Sequence, residues 1–181
     1  MTGEYKITHD HMKSLKPCAD GWRDFLTAYP REEYPEGVAY QDILDRCADE
    51  GRMDYAGWLI HKIGPTTDVR EYTEEIVDAD KNIAVAGTII FRKNATVKNI
   101  EAGESIKAGE SIAAGESIVA GESIVADGYI WADGSIWAGW RIKAGRSIKA
   151  GGRIVAGESI KAKAKPKNIV RGEYQPTDNE T

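Results

Sequence analysis

The chain is poor in the residues that most often carry chemistry. It has three histidines, His9, His11 and His61, so nothing beyond residue 61 offers the side chain most suited to general base work near neutral pH. Its two cysteines, Cys18 and Cys47, are too few for a disulfide framework and match no zinc or redox spacing. Two small buried thiols in a reducing compartment are expected instead. No apolar run approaches the roughly 20 residues that span a bilayer, and the opening MTGEYKITHDHMKSLK has no apolar h-region. A soluble cytoplasmic protein is expected, with no membrane association. Dinucleotide and phosphate-loop glycine motifs are missing, and no Ser-His-Asp set can be placed. His9 and His11, two apart and without further ligands, read as an exposed segment at a helix start rather than a metal site. No cofactor and no metal are expected.

Positive charge is scarce overall but not everywhere. The net charge is −5, which excludes a protein that coats nucleic acid through its whole surface. Residues 1–97 carry 12 basic and 18 acidic groups, residues 98–135 carry 2 and 7, and residues 136–171 carry 10 and 1. The differences are −6, −5 and +9, and residues 172–181 supply the remaining −3. The chain is electrically polar along its length.

What is present falls into two parts. Residues 1–66 read as a small helical head. In ADGWRDFLTAY, Trp22, Phe25 and Leu26 form an i, i+3, i+4 stripe, with Asp20 as N-cap and Pro30 past the end. Ile43, Leu44 and Cys47 make a second stripe that stops at Gly51. Trp58, Leu59 and Ile63 make a third, closed by Gly64 and Pro65. Three short helices are expected, with their aromatics in the core. Residues 67–80 are polar and acidic and read as a connector whose second half already approaches the body.

A six-residue period dominates residues 81–166. Ile recurs at positions 100, 106, 112, 118, 124, 130, 136, 142, 148, 154 and 160, with Ala two places after each. Residues at i and i+2 share one face of a strand, so Ile and Ala point inward together. The next three residues, typically Gly-Glu-Ser, then form a corner, where Gly103 and its equivalents are expected to supply backbone freedom and Asp127 and Asp133 to tolerate the same conformations. Three such faces give a triangular single-stranded parallel β-helix of about 18 residues per turn. One turn cannot bury its own interior, so the copies cover one another. Pro166 ends the pattern, and residues 167–181 read as a polar tail. The fold class is α+β.

The phrase AGESIV resembles the hexapeptide repeat of left-handed β-helix proteins over residues 100–162. It differs in having Ile and Ala exchanged between the two inward positions, which leaves the handedness open. IKAGGRIVAGESIKA is similar to stretches of bactofilins, bacterial polymer-forming proteins with a right-handed β-helix. The whole layout, a short Trp-rich helical head before AGESI copies, resembles proteins of bacteria and their phages. Left-handed β-helices are often acyltransferases with a His base at a subunit boundary. No His stands in the repeats and no insertion interrupts them, so no enzymatic activity is expected.

Because the interior barely varies, any specific information lies outside. Residues 18 apart stack, which yields outward columns Glu101, Val119, Trp137 and Val155 on one face, Ala113, Trp131 and Lys149 on a second, and Lys107, Val125, Lys143 and Lys161 on the third. One corner carries Glu104, Glu122, Trp140 and Glu158. Apolar outward residues gather in the middle turns as Val119, Val125, Tyr129, Trp131, Trp137 and Trp140. They either suit strands or mark a contact surface. Below them lie Glu104, Glu110, Glu116 and Glu122, and above them Arg141 and Arg146 with further cations, either as solvated charge or as electrostatic complementarity to a partner. The expected function is a non-enzymatic interaction protein with these residues as partner contacts. The layout resemblance implies, as its most concrete form, a phage or mobile-element inhibitor that acts in the host cytoplasm and occupies a nucleic-acid-binding defence complex. A bactofilin-like self-assembling scaffold, and hence a homo-oligomer, is the alternative, with an acyltransferase behind it. Direct nucleic-acid binding is left open.

Overall fold

The computed structural model describes residues 5–177. Four helices precede a parallel β-solenoid of about six turns at about 18 residues per turn. The helices are α1 (His9–Ser14), α2 (Ala19–Ala28), α3 (Tyr40–Asp49) and α4 (Met53–Ile63). A two-stranded ribbon, Lys6–Ile7 against Val38–Ala39, ties the start of the chain to α3.

The head departs from expectation in several local features. α1 is an additional short helix, capped by the Thr8 hydroxyl, which accepts from the His11 N–H. Its His9 is buried, not exposed, with ring Nε2 2.7 Å from the Tyr29 carbonyl. The N-cap of α2 is Cys18 rather than Asp20, and the Cys18 Sγ accepts from the Gly21 N–H. Cys18 is therefore exposed, while Cys47 is half-buried, and both are free. Leu26 faces outward and Phe25 alone of its stripe is fully buried, with Trp22 half-buried and stacked on it. Gly51 and Gly64 close α3 and α4 with φ of +72° and +92°, conformations a side chain would disfavour.

Three faces make up the solenoid. The first runs through Asn82–Val85, Asn99–Ala102, Ile118–Ala120 and Ile136–Ala138. The second runs through Val69–Tyr72, Thr88–Phe91, Ile106–Ala108, Ser123–Ala126 and Arg141–Ala144. The third runs through Ile76–Val77, Ala95–Val97, Ile112–Ala114, Ile130–Ala132 and Ile148–Ala150. A long strand, Ile154–Ala162, turns the last corner and continues both the first and second faces. Every Ile from Ile100 to Ile160, and every Ala two places after one of them from Ala102 to Ala162, is buried, as the period requires. Each Ile so buried contributes roughly 1.5–3 kcal/mol of transfer free energy.

Residues 67–80, read as a connector, hold two strands of the first turn, Val69–Tyr72 and Ile76–Val77. Their sequence lacks the Ile-x-Ala signature because this turn is the end of the stack. Likewise Ile169–Pro176, within the segment read as a tail, pairs with Ile154–Ala162 and covers that edge.

The corner glycines serve a different purpose from the one expected. Among the described glycines only Gly37, Gly51, Gly64 and Gly172 have positive φ, and neither Asp127 nor Asp133 does. What the corners need is room. A Cβ on Gly121 would lie 2.0 Å from the Gly103 carbonyl oxygen, and one on Gly139 would lie 1.9 Å from that of Gly121. At this corner, between the first and second faces, the backbone passes so close to the turn below that a side chain has no place, whereas the other two corners admit Asp127 and Asp133.

The head closes the N-terminal end of this stack. Outward-facing Ala84 and Ala86 are small enough for α3 to approach and they join the head's own core. The Gln41 carboxamide donates to the Ala84 carbonyl (2.8 Å) and accepts from the Ala86 N–H (3.1 Å). One side-chain amide thus replaces a peptide of the strand that a further turn would have supplied, satisfying an edge that would otherwise be free to pair. Arg70 occupies an inward register position, paired with Ile89, and makes a bidentate bond to Asp45 of α3 at 2.5 and 2.8 Å.

Candidate interaction surface

The registers reproduce the predicted outward columns. Trp137 lies between Val119 and Val155 on the first face, Trp131 between Ala113 and Lys149 on the third, and Val125 between Lys107 and Lys143 on the second. The corner column also holds, since the Trp140 backbone N–H donates to the Glu122 carbonyl and the Glu158 backbone N–H to the Trp140 carbonyl. All four large aromatics are exposed, at 46% for Tyr129, 41% for Trp131, 42% for Trp137 and 47% for Trp140.

These aromatics do not form one patch. Consecutive copies point in three directions, so Trp131 and Trp137 belong to different faces, and Trp140 sits on the edge between the first and second. Two groups result. Tyr129 and Trp131 share the third-face side with Arg146 and Lys149, whose cationic groups lie 5.3 and 5.8 Å from the respective ring centres. The Arg146 guanidinium also donates to the Tyr129 hydroxyl at 3.2 Å. Trp137 and Trp140 share the other side, with Arg141 4.6 Å from the Trp140 ring. The four glutamates are dispersed in the same way. Glu104 and Glu122 stack on one edge, whereas Glu110 and Glu116 occupy the other two. Glu116 accepts from Asn99 at 2.7 Å and Glu104 from Thr88 at 3.2 Å, so both also serve the solenoid itself.

On the first face the outward column reads Ala84, Glu101, Val119, Trp137 and Val155. The head covers its lower part. A Cβ on Gly57 of α4 would meet Glu101 Oε1 at 2.7 Å, and this burial pushes the Glu101 carboxyl up to about 7. The apolar stretch Val119–Trp137–Val155 begins where the head stops.

Two further features escaped sequence reasoning. A cleft of about 300 Å³ opens between the head helices, lined by Phe25, Tyr29, Ile43, Trp58 and Leu59. At its rim Arg52 and Arg46 both pair with Asp24. The Gly21 N–H and the Tyr55 hydroxyl hold the Cys18 thiol below its usual range there, and burial pushes the Cys47 thiol up to about 11. The second is a polar depression of about 340 Å³ on the last turns of the second face, where Trp140, Arg141, Lys143 and Lys161 meet Glu173 and Gln175. The cations were visible in the sequence. The strand that brings Glu173 and Gln175 to them carries no repeat signal.

Fold and surface together define a β-solenoid capped by a helical head, with large aromatics left exposed on its middle turns. Among the described residues no three His, Cys, Asp or Glu gather as a metal site, and no helix is long and apolar enough to cross a membrane. A family model described as the YdhT N-terminal domain matches residues 1–64, a match that ends with α4. The head is similar to that domain, and the solenoid lies outside the match. No curated protein and no solved structure matches the chain.

Proposed function

We propose that the protein is a non-enzymatic binding module whose first solenoid face docks a protein partner. The observation that carries this reading is the outward column of exposed Trp137 between half-buried Val119 and Val155, with exposed Trp140 on the adjoining edge. It continues directly from the part of the face that the head already covers. An aromatic anchor flanked by β-branched residues, with a polar rim, has the composition of an interface centre. The layout resemblance supports a finer form, an inhibitor from a phage or mobile element that occupies a host defence complex. The covered ends favour a binding module over a scaffold that stacks end to end, since Gln41 and Asp45 engage the first turn and Ile169–Pro176 lies along the last.

Affinity capture from bacterial lysate, with sedimentation of the purified protein alongside, tests this. Trp137→Ser with Trp140→Ser should lose the captured partner, whereas Trp131→Ser on another face should retain it. A concentration-dependent oligomer that disappears with the same pair of changes would point to self-assembly instead. Unaltered capture by the pair would remove this face from the interface.

A further inference from the structure

The eleven copies of the repeat depart most sharply from Gly-Glu-Ser at residues 139–141, which read Gly-Trp-Arg. In the edge column Glu104, Glu122 and Glu158 surround Trp140. In the next column Arg141 stands between Ser123 and Ser159. Neighbouring turns fold with Glu and Ser in these places, so the solenoid itself does not require the change. Two register positions further on, Lys143 lies directly beside Lys161, at the roughly 4.8 Å spacing of paired strands. Like charges so placed are destabilising, and no ion pair among the described residues engages Arg141, Lys143 or Lys161. An anion bound between them would relieve this repulsion.

The rest of the depression narrows the chemistry of that anion. Trp140 offers a flat, exposed ring, with the Arg141 guanidinium 4.6 Å from its centre. Glu158 and Glu173 line the same depression. Their carboxylates disfavour a peptide with an acidic group at every residue. They suit a molecule with its negative charge concentrated at one end and with amino or hydroxyl donors elsewhere. A flat ring beside a phosphate meets both conditions, and aromatic stacking next to a basic track is the physical basis of single-strand binding.

We propose that the last turns of the second face bind a nucleotide unit, its base stacked on Trp140 and its phosphate held by Arg141, Lys143 and Lys161. The unit belongs either to a free nucleotide or to a single strand. This site shares Trp140 with the edge of the docking face, but Lys143 and Lys161 lie outside the apolar column. Their substitution should leave capture of a protein partner intact, so the two readings fail separately.

Binding of ATP, of a labelled oligo-dA of about 12 nucleotides and of tripolyphosphate to the full chain at about 50 mM salt tests the site. Lys143→Gln with Lys161→Gln should weaken ATP or oligo-dA by at least about tenfold and flatten the salt dependence by about two phosphate contacts. Lys107→Gln, outside the depression, should not. Trp140→Ala should weaken the base-bearing probes while leaving tripolyphosphate unchanged. Oligo-dA binding well above ATP assigns the site to a single strand, and comparable binding assigns it to a free nucleotide. The proposal is overturned if neither probe binds, or if tripolyphosphate binds as well as ATP and Trp140→Ala affects neither. Displacement of ATP by poly-glutamate at lower concentration would also overturn it, in favour of an acidic protein segment. Circular dichroism melts of each variant must match wild type, and Lys143→Arg with Lys161→Arg, which keeps the charge, should retain binding.

Discussion

The Glu101 carboxylate lies against the backbone of Gly57, so that a methyl group added there would sit 2.7 Å from Oε1. An outward residue of the solenoid is thereby half-buried under α4, with Ala84 and Val119 as its in-register neighbours. Burial lifts its pKa from 4.5 to about 7. A carboxyl whose folded pKa exceeds its unfolded value binds more protons when folded, so stability falls as pH rises between the two and is constant above. Glu101→Gln should therefore match wild type near pH 4.5 and exceed it at pH 8, by about 3 kcal/mol from a shift of this size. Urea melts at the two pH values check this. Equal stability at pH 8 would mean that the carboxylate is fully hydrated there.

The corner glycines allow a contrast within a single residue type. Gly139→Ala would place a methyl 1.9 Å from the Gly121 carbonyl oxygen and force the backbone apart, for an expected loss of about 2–4 kcal/mol. At Gly115 the nearest atom is 3.9 Å away. Gly115→Ala should be neutral or stabilise by up to about 1 kcal/mol through the unfolded chain. Thermal melts of the two variants give the difference, and equal effects would contradict the close-approach account.

The interior is tested at Ile130, which is fully buried. Ile130→Asp places an unpaired carboxylate among Ile and Ala side chains and should cost more than about 3 kcal/mol. Lys107→Ala, exposed on the surface, should change stability by no more than about 0.5 kcal/mol. Chemical denaturation of both reads the contrast directly.

Removal of the cap should be felt in both stability and association. Gln41→Leu leaves the Ala84 carbonyl and the Ala86 N–H without their partner, at about 1–3 kcal/mol. It also frees an edge that can pair with another chain. Denaturant melts should show the loss, and sedimentation should show new association. A monomer of unchanged stability would mean that Gln41 does not guard the edge.

The six-residue period made the solenoid legible because an inward Ile and Ala must recur wherever three faces close on one another. The outward columns followed by arithmetic, down to Val119 beside Trp137. His9 was misread because a polar residue near a helix start is usually solvated, and only the Tyr29 carbonyl opposite it accounts for its burial. The first turn was hidden because Arg70 takes an inward position there for the sake of Asp45, a residue 25 places earlier on a helix.

The repeat, its inward and outward faces and the charge polarity can be read from the order of residues, because these depend on local spacing alone. The tertiary structure decided which outward residues remain free. Glu101 and Trp137 occupy the same column, yet one is partly covered by α4 and the other is exposed, since a rigid helix of given length covers only the turns it can reach. It also divided the aromatics between two sides of the solenoid, because a six-residue step in an 18-residue turn sends each successive copy to a different face.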